Sequence, residues 1–277
     1  MKNNNAIVFL LNAQLKDIHN FRQSISLLYN NYLVKYPDCD IICFHEGNFP
    51  QEEIKILQDT FPLPLIFQEL SFKLPDYNAD ILNEIPEFVT HPLFPEAKGF
   101  GMGYRHMCRF YAGEIFKQDI LQNYKYVWRL DTDSFILEPI TSDPFIDMSS
   151  GDSIYGYINI QHDHPEMVKG LWELAAEYFQ HEPSDIFDST NRETHFRRVY
   201  YTNFEIFDMS WFRQNAYQNF YNYIDQNAGI YKYRWGDHAI RYLALHGLNV
   251  QHKCLFFKDI VYHHGERYHN RHLVNNF

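Results

Sequence analysis

The stretch NYKYVWRLDTD (Asn123–Asp133) contains an apolar run, Tyr126–Leu130, that leads straight into two carboxylates. A buried strand that ends in polar residues suits an open α/β sheet, whose ligands gather at the carboxyl ends of its strands. Toward the amino terminus similar runs recur at Ala6–Leu11 and Asp40–Phe44 (DIICF), and Leu65–Leu70 (LIFQEL) alternates like a third strand. Between them Ile18, Phe21, Ile25, Leu28 and Tyr32 fall at spacings of three and four, an amphipathic helix, and Gln51–Gln58 reads as a second. This order predicts a mainly parallel sheet with helices on both faces. Pro75–Gly103 reads as a long loop over a site.

Toward the carboxyl terminus the chain reads as a helix at Tyr104–Lys117, a strand at Ser153–Tyr157 and a helix at Glu166–Phe179. A strand at Thr202–Phe207 and a helix from about Trp211 to Ile224 follow. Trp235-Gly236-Asp237 opens a further helix through Leu245, with Gly247 as its stop signal, and Cys254–Phe257 is a last strand before a histidine-rich tail, His263–His272. There is no internal repeat and no Ser/Pro/Gly linker, so residues 1–277 read as one domain with a single mixed, mainly parallel sheet.

Composition bounds the function. Net charge is −11 and no run of Lys or Arg stands out, which argues against nucleic acid as a general partner. The 24 Phe, 21 Tyr and 4 Trp exceed ordinary usage, and aromatic faces with hydroxyl tips suit carbohydrate or nucleotide ligands as well as a generous core. Ala6–Leu11 is too short to span a membrane and lacks a signal-peptide cleavage pattern. Four cysteines (Cys39, Cys43, Cys108, Cys254) make no disulfide framework and no Cys-x-x-Cys pair, which fits structural thiols in a reducing compartment.

Among possible chemical groups, Asp131 and Asp133 come first. On an extended segment residues i and i+2 point the same way, so both carboxylates can face one Mg²⁺ or Mn²⁺; the plainer reading is a turn-forming acidic pair. Glu205 lies inside the apolar stretch Asn203-Phe204-Glu205-Ile206, where it either faces solvent or is a buried carboxylate that needs a partner. Asp237 at a helix start reads as an N-cap or as a base that orients an acceptor hydroxyl. His263 and His264 are adjacent, so on a strand only one reaches a shared site. The P-loop, GxGxxG, GxSxG and HExxH patterns are all missing, which disfavours kinase, nicotinamide, serine esterase and zincin chemistry.

Taken together, YRHMCRF (Tyr104–Phe110), NYKYVWRLDTD (Asn123–Asp133), TNFEI (Thr202–Ile206), YRWGD (Tyr233–Asp237) and DIVYHH (Asp259–His264) resemble the successive motifs of the fungal Golgi α-1,2-mannosyltransferases, glycosyltransferase family 15. The weaker stretches FLLNAQL (Phe9–Leu15) and IYGY (Ile154–Tyr157) fit in the same order. The resemblance implies a GT-A fold and transfer of mannose from GDP-mannose to a mannoside or glycan hydroxyl, with retention of the α configuration and with Mn²⁺ or Mg²⁺. It implies a metal site at Asp131, Asp133 and His264, and places Glu205 on the reactive face of the donor sugar. Asp237 falls near the acceptor, Tyr104 becomes an active-site tyrosine, and Arg105 and Arg129 with Asp131 become donor contacts. Residues 1–133 form the nucleotide-sugar-binding half and 134–277 the acceptor-binding and catalytic half.

The chain also departs from the family. Asp131-Thr132-Asp133 stands where Glu-Pro-Asp is usual, one methylene shorter at the first carboxylate. Leu11 stands near a position that is often basic, and Gly265-Glu266-Arg267-Tyr268 replaces a more apolar ending. The family's membrane anchor and stem are missing, so the expectation is a soluble, cytoplasmic relative from a bacterium or large virus. The competing readings are another sugar nucleotide as donor, a catalytically weak sugar-binding protein and, last, a metal-dependent phosphohydrolase.

Overall fold

In the computed structural model, residues 4–62, 64–181 and 197–265 are described, with the backbone of 267–269. The predicted amino-terminal alternation is present: β1 (Asn5–Leu10), α1 (Leu15–Leu28), β2 (Asp40–His45), α2 (Gln51–Thr60) and β3 (Leu65–Glu69). The segment 75–103 is a loop apart from the one-turn α3 (Ala79–Asn83) and an isolated bridge between Val89 and Phe100. There follow α4 (Met102–Ala112), β4 (Tyr126–Leu130), β5 (Ser134–Ile136), α5 (Pro144–Ser150), β6 (Tyr155–Tyr157), β7 (Ile160–Asp163) and α6 (Leu171–Phe179). The last third holds β8 (Arg197–Tyr200), β9 (Phe204–Asp208), α7 (Met209–Phe212), α8 (Asn215–Gln226), α9 (Gly229–Tyr233), α10 (Asp237–Gly247), β10 (Cys254–Phe256), β11 (Tyr262–His264) and β12 (Arg267–His269).

Seven strands form one sheet in the order β10-β6-β9-β4-β1-β2-β3. The pairs β1/β2, β2/β3, β1/β4 and β6/β10 are parallel, whereas β9 runs antiparallel to both β4 and β6. The sheet is therefore mixed and mainly parallel, as the sequence predicts. Side-chain alternation splits the core into two layers. Ala6 and Val8 of β1, Val127 of β4 and Phe207 of β9 face α4, α8 and α10, while Ile7, Phe9, Trp128 and Ile206 face α1 and α5.

Three expected helices are shorter or broken. The one expected over Tyr104–Lys117 ends at Ala112, where Gly113 leaves helical backbone and packs so close to the Tyr221 ring that a Cβ would lie 2.2 Å from a ring carbon, and a 3₁₀ turn, Glu114–Lys117, follows. The segment Glu166–Phe179 opens with a 3₁₀ turn, Pro165–Val168, before α6, and Trp211–Ile224 is divided between α7 and α8. The antiparallel ribbon β5-β11-β12 and the antiparallel pair β7-β8 were not read as strands from the sequence. All four cysteines are free thiols, in keeping with their sequence reading. Glu266 and His272 lie outside the described residues.

Candidate active site

The site grows from the carboxyl end of β4. Antiparallel pairing sets Arg129 of β4 directly across from Glu205 of β9, both on the α4 and α10 side of the sheet. Beyond Leu130 the chain turns: the Ser134 amide donates to the Asp131 carbonyl, and the Asp131 amide donates to the Asn203 carbonyl and to Ser134 Oγ. Asp131 and Asp133 thus occupy a turn rather than the expected extended segment. The ribbon supplies the third side chain, because β11 pairs with β5 and sets His264 opposite Ser134. The Gly265 amide, at φ +55°, closes onto the Asp133 carbonyl at 3.1 Å.

One carboxylate oxygen each from Asp131 and Asp133 and one ring nitrogen from His264 lie within 4.8 Å of one another. His264 Nε2 is 3.0 Å from Asp133 Oδ1 and 3.8 Å from Asp131 Oδ2. Neighbouring ligands of an octahedral ion with bonds near 2.1 Å lie about 3 Å apart, so this spacing fits a small divalent cation. Two hard oxygens and one imidazole nitrogen suit Mg²⁺ or Mn²⁺. Burial pushes the Asp133 carboxyl up, but the hydrogen bond and charge of His264 outweigh it and hold the group below its usual range, ionised and able to ligate. Asn203 orients the cluster, its Nδ2 donating to Asp131 Oδ2 and lying 3.0 Å from His264 Nε2. His263 points elsewhere and packs on Phe135, so of the adjacent pair one histidine reaches the cluster.

Asp131 and His264 of the triad line a cleft of about 800 Å³, together with Arg129, Tyr104 and Asp237 and with Phe94, Lys98 and Phe100 of the long loop. Arg129 is 1% exposed, and its Nη1 donates to Asp237 Oδ2 at 2.6 Å and Glu205 Oε1 at 3.1 Å, while its Nε donates to Asp131 Oδ1 at 3.1 Å. Its guanidinium stacks 3.5 Å from the centre of the Tyr111 ring. Asp237 is not an N-cap. Gly236 holds that position, and the Asp237 carboxylate turns to Arg129 instead. Burial pushes Asp237 up, yet the charges of Arg129 and His238 and a hydrogen bond with Thr202 bring it below the usual range.

Two expectations need correction. Glu205 is fully buried and does not line the cleft. Its Oε1 accepts from Arg129, and its Oε2 accepts from Tyr155 at 3.0 Å and Arg241 Nε at 3.3 Å. The residue stands one layer behind Arg129, not on an open face of the cleft; burial raises its carboxyl above the usual range against the pull of Arg241 and Arg129. Arg105 is also fully buried and does not line the cleft. Its guanidinium donates to the carbonyls of Gly101, Tyr231, Pro86 and Glu87, so it ties the long loop to α4 and α9 and has no donor pointing to a nucleotide.

A second cluster escaped sequence reasoning. Asp163 Oδ2 accepts from Arg234 Nη1 and lies against His238 Nε2, both at 2.7 Å, and Arg234 Nη2 donates to the Tyr104 hydroxyl at 3.1 Å. Arg234 adopts φ +68° and its guanidinium stacks on Phe100. It was inside the quoted YRWGD, as Asn203 was inside TNFEI, but nothing in the sequence marks Asp163 as their neighbour.

Comparison with known proteins gives this arrangement its relatives. The sequence profile of the family described as glycolipid 2-alpha-mannosyltransferase matches residues 1–272. A probable mannosyltransferase KTR4 of Saccharomyces cerevisiae is 30% identical over 177 residues, 58% of this chain and 38% of that protein. A probable mannosyltransferase MNT3 of Candida albicans is 31% identical over 171 residues, covering 60% and 45%. The chain therefore spans less than half the length of these two relatives. In structure it is similar to the mannosyltransferase Ktr4p of S. cerevisiae (TM-score 0.80, 24% identity, 97% of this chain and 72% of that one). It is similar also to core-mannan synthase A of Aspergillus fumigatus in its Mn/GDP form (TM-score 0.79, 22% identity, 96% and 76%). These likenesses carry the fold, and it is the glycosyltransferase α/β fold that the motifs imply. On the match across residues 1–272, the chain belongs to the glycolipid 2-alpha-mannosyltransferase family.

Proposed function

We propose that this chain transfers mannose from GDP-mannose to a hydroxyl of a mannoside or glycan, forming an α-1,2 linkage with retention, in a reaction that requires Mn²⁺ or Mg²⁺. The observation that carries the reading is the convergence of Asp131, Asp133 and His264 at the edge of a cleft wide enough for a nucleotide sugar and part of an acceptor. Family membership and a structural neighbour described as an Mn/GDP form support the same donor and metal.

Each group then has a distinct task. Asp131, Asp133 and His264 would hold the cation, which when bound offsets the negative charge of the diphosphate. Asn203 keeps Asp131 and His264 turned toward each other. Asp237, ionised and fixed by Arg129, offers a hydrogen-bond acceptor to the attacking hydroxyl and a negative charge near the developing oxocarbenium centre. Burial drives the Tyr104 phenol well above its usual range, so it stays a neutral hydroxyl that positions the acceptor. Glu205 works through Arg129. With both carboxylate oxygens taken and no exposed surface, it favours attack from the leaving-group side over a glycosyl-enzyme.

The test is a transfer assay with α-methyl mannoside and a panel of nucleotide sugars, with Mn²⁺ or with EDTA, and with the product linkage read by NMR. A mannobiose linked α-1,2, formed from GDP-mannose and only with the divalent ion, is the expected result. Preference for a UDP-sugar would redirect the donor, and nucleotide binding without any transfer would favour the sugar-binding protein.

A further inference from the structure

The cleft's cations can be counted by what each already serves. Arg129 is matched by Asp131, Glu205 and Asp237, and Arg234 by Asp163. His264 leans on Asp133, and His238 on Asp163. Lys98, on the long loop, has its ammonium 5.9 Å from the Phe88 ring centre. Lys16 differs. It stands in the first turn of α1, lines the cleft with Asp131, His264 and Gly265, and is exposed. It makes no hydrogen bond or ion pair within 4.0 Å among the described residues, yet its charge is close enough to help hold Asp133 low.

A charge balance gives that side chain a task. Two carboxylates and one divalent ion sum to zero, so the loaded triad alone offers no net positive charge to a diphosphate. A nucleotide sugar carries one negative charge on each phosphate, and the departing nucleoside diphosphate carries a further one. Building on the nucleotide-sugar reading above, we propose that Lys16 is a catalytic residue whose ammonium binds the diphosphate beside the triad and stabilises it as the sugar leaves. In that step the bond from the anomeric carbon to the terminal phosphate oxygen breaks and its electron pair stays on that oxygen. The acceptor oxygen bonds to the same carbon, and its proton passes to the departing phosphate and from there to solvent, which leaves the diphosphate one charge more negative than the bound donor. Since charge grows on the phosphate during the step, a lysine there favours the transition state and the product over the bound donor.

Calorimetric titration of GDP and of guanosine into the full chain with Mn²⁺ tests this, on wild type, Lys16→Ala and Lys16→Arg. K16A is expected to weaken GDP binding about tenfold at low ionic strength, with the difference shrinking as salt rises. Guanosine binding and the melting temperature of the free protein should not move, and K16R should recover most of the GDP affinity. In the transfer assay K16A should lower kcat more than it raises the KM for donor. Equal GDP affinity in wild type and K16A overturns the Lys16 role alone. A wild-type chain that binds no GDP with Mn²⁺ overturns the nucleotide reading and this proposal with it.

Discussion

The buried charges around Arg129 make single residues unusually consequential. Glu205 faces two arginines and a tyrosine hydroxyl with no solvent to replace them, so Glu205→Gln takes the carboxylate partner from buried Arg241 and one of three from Arg129. Removing one partner of a buried pair costs about 3 kcal/mol or more. Urea unfolding of E205Q should show a loss of that order together with loss of transfer; wild-type stability would mean the pairing contributes nothing. A second residue sets acid sensitivity. His246 stacks on Tyr242 at 4.0 Å, and burial, aided by the Arg198 charge, pushes its pKa down to about 4. The unfolded chain takes up that proton near pH 6.5, so the contribution is full above about 6.5 and is lost as pH falls toward 4. His246→Gln should therefore flatten the fall in melting temperature between pH 7.5 and 5, and an unchanged slope would refute this. At this scale the acids of DTD stood out in the sequence as a candidate pair, with a turn as the plainer reading, while the choice of His264 from His263-His264 came from the family motifs. The sequence could not announce that Glu205 shares Arg129 with Asp237, since those contacts depend on sheet register and on a helix 32 residues later in the chain.

Elements decide which face each of those residues serves. The strands β1, β2 and β4 were readable from apolar runs because both faces of the sheet are covered there, and the edge strand β3 from its alternation. The three-residue strands β5 and β11 were not, although they carry His264 to Asp133. Arg105 shows the same limit. Its place in YRHMCRF suggested a nucleotide contact, whereas α4 turns it inward to the carbonyls of Pro86, Glu87, Gly101 and Tyr231. The loop across the cleft depends on that anchor and on the Tyr77 hydroxyl, which donates to the Asp225 carbonyl at 2.8 Å. Arg105→Ala should speed limited proteolysis within residues 75–103 and raise the KM for acceptor, because the buried Tyr231 carbonyl loses its donor at about 1–3 kcal/mol and the part-buried carbonyls of Pro86, Glu87 and Gly101 lose their tie to α4. Lysine, without the planar fork, should restore little. Unchanged cleavage in R105A would remove the anchor from the account.

At the scale of the whole molecule, the seven-stranded sheet, the β5-β11-β12 ribbon and α10 bring together side chains from both halves of the chain: β4 supplies Arg129 and the turn after it Asp131 and Asp133, while the second half supplies Asn203, Asp237 and His264. Among the described residues no helix is long and apolar enough to cross a membrane. Side chains from residues up to 133 and from residues beyond it meet at the candidate cation site. Electron paramagnetic resonance of Mn²⁺ measures that site without reference to any acceptor. With GDP present, wild-type protein should quench the signal of one free Mn²⁺ per chain, whereas Asp133→Asn and His264→Ala, at partly exposed positions that leave the fold intact, should leave the signal at its protein-free level. Quenching by both variants equal to wild type, or none by wild type, would contradict a cation held by Asp131, Asp133 and His264.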